Sequence, residues 1–146
     1  MAITSAVCNS FKQEILEAEH NFTASSGNTF NLALYTSSAT INKSTTAYAS
    51  TNEISNTSGS AYSAKGNALT SVTPVLDSDT AICDFADTSW TSASFTANGC
   101  LIFNDSHSSD AAVCTIAFGG DKTVTSGTFT IEFPAAAAST AIIQIA

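Results

Sequence analysis

The sequence contains no arginine, only four lysines (Lys12, Lys43, Lys65, Lys122), two prolines, two histidines and one tryptophan. Nucleic-acid binding relies on cationic side chains that displace counterions from phosphates, and four scattered lysines form no basic patch. Without arginine there is also no bidentate fork for guanine, phosphate or carboxylate. Twelve carboxylates against four lysines give a net charge of −8. That balance excludes nucleic acid, nucleotides and anionic membranes as partners and suits solubility first, a basic partner surface second. No run approaches the ~18 apolar residues that span a bilayer. The opening residues Met1–Lys12 lack both the basic and the apolar region of a secretory signal, so a reducing cytoplasm is the expected place of synthesis.

Charged residues make up 11% of the 146. What replaces them is hydroxyl: 22 serines and 21 threonines, with 24 alanines beside them. Because 44% of the chain is hydrophobic and patterned, the composition is that of one folded domain, not of disorder. Cys8, Cys83, Cys100 and Cys114 contain no CxxC pair and sit among apolar neighbours, which predicts buried free thiols rather than zinc ligands or disulfides.

One helix is predicted, over residues 3–22. Thr4 or Ser5 offers a cap, and Val7, Phe11, Ile15, Ala18 and Phe22 recur at spacings of four, four, three and four. This stripe either docks on the protein's own sheet, which the cost of exposing it favours, or packs against another subunit. Beyond it the pattern is that of strands. Phe30, Leu32 and Leu34 alternate, Asn67–Leu76 carries Pro74, and Thr80–Phe85 follows the turn signal Asp77-Ser78-Asp79. Asp87–Trp90 reads as a turn. Ala93–Asn104 is a strand in which Gly99 marks a bulge or close approach, and Asp105–Asp110 is a hairpin loop. Ala111–Phe118, a turn at Gly119-Gly120, and Gly127–Phe133 come next. Residues 140–146 close the chain as a strand apolar on both faces. Residues 37–66 are a long polar excursion anchored by Tyr48, Ile54 and Tyr62. The expected fold is therefore a single mainly β domain over 1–146. It is an antiparallel β-sandwich or jelly-roll-like unit spanning 28–146, with one N-terminal α-helix.

Candidate chemistry is sparse. His20 reads as a surface residue at a helix end. His107 lies in Asp105-Ser106-His107-Ser108-Ser109-Asp110, but adjacent residues in one loop do not make a triad, and no Gly-x-Ser-x-Gly elbow exists. Asp77/Asp79 and Asn104/Asp105/Asp110 have too short a ligand ladder for an EF-hand, and turn formation accounts for them. Gly119-Gly120-Asp121-Lys122 lacks phosphate-loop spacing. No enzyme, cofactor or metal is expected from these residues.

The opening Met-Ala-Ile-Thr-Ser-Ala-Val-Cys-Asn-Ser-Phe-Lys-Gln-Glu resembles small proteins encoded among the structural genes of tailed bacteriophages. So do Asn28–Thr40, Asp84–Trp90 and Phe118–Pro134, so that the resemblance runs along most of the chain. It implies a virion component assembled in the host bacterial cytoplasm, with no catalytic residue to carry over. Three functions fit. The first is a capsid cement or decoration protein on the major capsid shell; the second is a tail, neck or baseplate component that uses 37–66 as contact surface. The third is a carbohydrate-binding module with Trp90 and Tyr48 or Tyr62 as stacking platforms. Self-association as a dimer or trimer is expected, because closed symmetry hides apolar edges. The residues expected at interfaces are Phe11, Ile15 and Phe22 on the helix and Ile142, Ile143 and Ile145 on the last strand.

Overall fold

The computed structural model describes residues 2–146 and is a mainly β sandwich of two antiparallel sheets with one short helix. Its elements are β1 (Ala6–Val7), α1 (Asn9–Leu16), β2 (Phe30–Tyr35), β3 (Asn67–Ala68) and β4 (Ser71–Asp77), then β5 (Thr80–Phe85), β6 (Thr88–Asn104), β7 (Ala111–Ile131) and β8 (Ile143–Ile145). The larger sheet has the order β1-β7-β6-β2-β3, and the smaller has the order β4-β5-β8.

The long β6–β7 hairpin is the spine. Asn104 pairs with Ala111 across the Asp105–Asp110 loop, and the pairing continues to Thr88 opposite Ile131. Asp87–Trp90 is thus not a turn: β6 starts at Thr88, and Trp90 lies inside the strand. Gly119-Gly120 does not turn the chain either. Ala97 faces Lys122 and Gly99 faces Ala117, so Asn98 alone opposes Phe118–Asp121 in a wide bulge. The two glycines take φ of 74° and 144°, which only glycine adopts cheaply, and Asn98 Nδ2 donates to Asp121 Oδ1 at 2.8 Å. Gly99 is the close approach expected of it. A Cβ there would lie 2.6 Å from both the Ile116 carbonyl oxygen and Ile3 Cγ2.

The helix is shorter than its apolar period suggests. Residues 3–7 are extended because the free edge of β7 satisfies their backbone: Ala6 and Val7 pair with Thr115 and Cys114, and Ile3 bridges Ile41. The two expected caps serve that edge instead. The Thr4 carbonyl accepts from Thr115 Oγ1 at 2.7 Å, and Ser5 Oγ accepts from the Ala117 N–H at 2.9 Å. After Leu16 the chain turns through Ala18 at φ 62° and doubles back. Residues 20–22 therefore return beneath α1 rather than continuing it, with the His20 ring 4.9 Å from Phe11.

Two aromatic groups fill the interior. Phe22 stacks on Phe30 at 4.2 Å with planes 5° apart, and Phe85 of the smaller sheet tilts against both. On the other side Trp90 contacts Tyr62, Phe95 and Phe129 at 5.9–6.2 Å. Between them the buried faces of β2 and β6 contribute Leu32, Leu34, Leu101 and Ile102.

Candidate functional site

The polar excursion 37–66 contains no named strand; backbone bonds hold it to the sandwich, among them the Ile54 N–H to the Leu34 carbonyl and the Ala112 N–H to the Thr46 carbonyl, each at 2.9 Å, and one carboxylate knits it together. Glu53 Oε2 accepts from the Tyr48 hydroxyl at 2.6 Å, and Oε1 accepts from the Tyr62 hydroxyl and the Lys65 N–H, each at 2.7 Å. Tyr62 also accepts from the Leu34 N–H at 2.9 Å, which ties this hub to β2. Burial and the bond to Glu53 push the Tyr48 phenol up to about 12, and burial raises that of Tyr62 further. Lys65 then reaches Asp105 at 2.8 Å and Asp110 at 2.9 Å, and these two carboxylates raise its pKa. Asp105 and Asp110 are occupied by this lysine, and Asp77 Oδ2 accepts from the Ala138 N–H at 2.7 Å. Among the described residues no group of three or more His, Cys, Asp or Glu is gathered as metal ligands.

Of the two histidines, His20 departs from its sequence role and His107 stays in its loop. His20 is buried, not on the surface, because the chain reversal at Ala18 carries it inward. Its Nδ1 faces the Asn104 amide at 3.1 Å and its Nε2 lies 2.8 Å from Glu14 Oε2, so the Nε2–H tautomer satisfies both contacts. His107 Nδ1 accepts from the Ser109 backbone N–H at 3.2 Å and meets Ser109 Oγ at 2.9 Å; its Nε2 is 3.5 Å from Glu19. The ring closes the hairpin loop on itself. Its Nδ1 is already an acceptor for the chain's own N–H.

One concavity is lined mainly by apolar side chains. A groove of about 440 Å³ runs between α1 and the smaller sheet. Five of the six expected interface residues line it: Phe11, Ile15, Phe22, Ile143 and Ile145. Phe11, Phe22 and Ile143 are buried and form its floor as part of the chain's own core, while Ile15 is half-buried. Ile145 is 58% exposed. Ile142 lies elsewhere, half-buried beside Val7 and Ile116 in a shallow groove along β1. The main groove continues outward over a row of side chains. Leu76 is opposite Ala81, and Ala81 is opposite Ile145, so the three share one face across β4, β5 and β8. Leu76 is 74% exposed, and Leu16 at the end of α1 is 87% exposed. Neither leucine stands out in the sequence, since both fit the local apolar pattern and only the register reveals them as uncovered.

Comparison with family models, with curated proteins and with solved structures finds no match to this chain.

The four thiols are buried and free. Desolvation pushes Cys8 up to about 11 and Cys83 and Cys114 up to about 12. A water-soluble disulfide reagent at pH 8 is therefore expected to leave the folded chain unlabelled and to titrate all four thiols in denaturant. The same shifts set an alkaline limit. The fold holds these protons more tightly than an unfolded chain, in which thiols titrate near 9 and phenols near 10. Stability that is complete below pH 9 is then lost as pH rises towards 11–12. Urea melts at pH 8, 10 and 11 check this; an unchanged midpoint would contradict it.

Proposed function

We propose that this chain is a non-enzymatic structural component of a tailed-phage virion. In this reading it is a capsid cement or decoration protein that docks on the major capsid shell and self-associates. The observation that carries the proposal is the open apolar groove with Ile145 exposed on it and Leu76 exposed beside it in register. A hydroxyl-rich sandwich of low charge leaves such a face uncovered when another surface completes it. The resemblance of Met1–Glu14, Asn28–Thr40, Asp84–Trp90 and Phe118–Pro134 to phage structural proteins supports the same reading. Trp90 and Tyr62 are buried in the core, so neither offers a ring face to a sugar, which weighs against a carbohydrate-binding module. Self-association as a dimer or trimer belongs to this proposal, with Ile142 and the β1 side as a second face.

The test is the copy number of this protein in purified particles by quantitative mass spectrometry. Hundreds of copies in simple ratio to the major shell protein are expected, since the shell repeats a site that often. A few to a few tens of copies would move the protein to the neck, tail or baseplate. Absence from the particle would overturn the virion reading.

A further inference from the structure

The groove has a charge as well as a shape. None of the four lysines lines it. On the α1 side the lining residue Ala18 lies between Glu17 and Glu19, both exposed, and on the sheet side exposed Asp79 lies two residues before the lining residue Ala81. Glu14 is engaged with His20, itself a lining residue. Beside the groove, β8 is the outermost strand of its sheet, and among the described residues no strand pairs with its far edge. Gln144 and Ile145 are exposed there. The site thus joins an apolar trough, carboxylates next in sequence to its lining residues and a strand edge that no described strand pairs.

We propose that this groove docks an extended segment of a different protein, apolar at alternate positions and flanked by lysine or arginine, which adds as a strand to the free edge of β8. It rests on the docking reading above and names the chemistry of that partner. Alternation follows from strand addition, because every second side chain of an added strand turns to the same face as Ile143 and Ile145. Basic flanks follow from complementarity to Glu17, Glu19 and Asp79. A second copy of this chain is the poorer occupant. Its own C-terminal stretch 133–146 holds no lysine, and pairing two copies through this edge would bring the two sets of carboxylates together.

The experiment is selection of short random peptides displayed on a surface against the purified protein, followed by titration of the enriched peptide in synthetic form. Enriched sequences are expected to alternate Val, Ile, Leu or Phe between basic ends. Ile145→Glu and Leu76→Glu, both at exposed positions that the fold tolerates, are expected to weaken binding at least about tenfold. Glu17→Lys with Asp79→Lys should weaken it as well, and raised salt should mimic that loss. No enrichment, enrichment of neutral or acidic peptides, or equal binding by Ile145→Glu overturns the proposal. So does light scattering in which a wild-type dimer becomes monomeric on Ile145→Glu, which would give the groove to a second copy. Particle incorporation separates the two ideas. Wild-type and Ile145→Glu protein incorporated equally would overturn the groove and leave the virion reading standing; a peptide-binding chain absent from particles would do the reverse.

Discussion

Glu53→Ala is expected to lower the stability of the fold by about 3–5 kcal/mol, a large share of what a domain of this size possesses. The carboxylate receives three donors, from Tyr48, Tyr62 and the Lys65 backbone, at 2.6–2.7 Å. Hydrogen bonds to a charged acceptor contribute roughly 1.5–3 kcal/mol each, and donors left buried without a partner carry the desolvation cost in full. Tyr48 is half-buried and can turn to water, so the three do not simply add; Tyr62 is buried and cannot. With a urea m-value of about 1–3 kcal/mol per molar, the midpoint should fall by about 2 M. Glu53→Gln retains one accepting oxygen but turns an amide N–H₂ towards the remaining donors, so it should fall in between. A midpoint shift below about half a molar for the alanine variant would mean that the excursion 37–66 is held by something other than this hub.

Phe30→Ala should cost about as much for a different reason. Phe30 is fully buried, stacks on Phe22 at 4.2 Å and meets Phe85 at 5.9 Å. It therefore joins β2, the returning segment 20–22 and the smaller sheet at one point. Truncating such a ring removes its transfer free energy and leaves a cavity, together about 3–5 kcal/mol. In a domain of this length that corresponds to a fall in Tm of about 6–20 °C by calorimetry. Phe30→Leu should recover much of the loss, because the cavity is partly refilled. If alanine melted within about 2 °C of the wild type, the two sheets would not depend on this aromatic joint.

Much of the fold was legible because the buried strands carry their own signal. Phe30–Tyr35 and Thr80–Phe85 are strands at the residues the alternation marks, and the Asp105–Asp110 loop is the hairpin turn. The helix was legible only in its middle. Val7, Phe11, Ile15, Ala18 and Phe22 keep a helical period, but Val7 pairs with Cys114 more than a hundred residues away and Ala18 sits in the left-handed region. A local period carries no information about a distant free edge. The start of β6 and the middle of β7 were hidden for the opposite reason, although Ala93–Asn104 and Gly127–Phe133 read as strands. Their outward ladder is made of hydroxyls, Ser89 to Thr130 and Thr96 to Thr123, each at 2.8 Å, and a Ser/Thr-rich stretch reads as loop. For the groove, apolarity picked out five lining residues. The exposure of Leu76 beside it follows from register, and the roles of Glu53 and His20 from tertiary packing and chain reversal; no spacing within the sequence encodes those.

The Lys65 clamp also bears on how this chain meets proteases. An enzyme that cuts after lysine or arginine must draw the basic side chain into a pocket and stretch the neighbouring backbone through its cleft. With no arginine, it has four places to try. At Lys65 the ammonium is gripped by Asp105 and Asp110, while Lys65 and Gly66 both sit at positive φ, with Gly66 pressed against the Leu32 carbonyl. Lys122 lies within paired β7 and Lys12 within α1. Of these four lysines Lys43 alone stands outside a helix, a strand or a clamp, so a surface poor in basic residues is also one that offers enzymes of this specificity very little to hold.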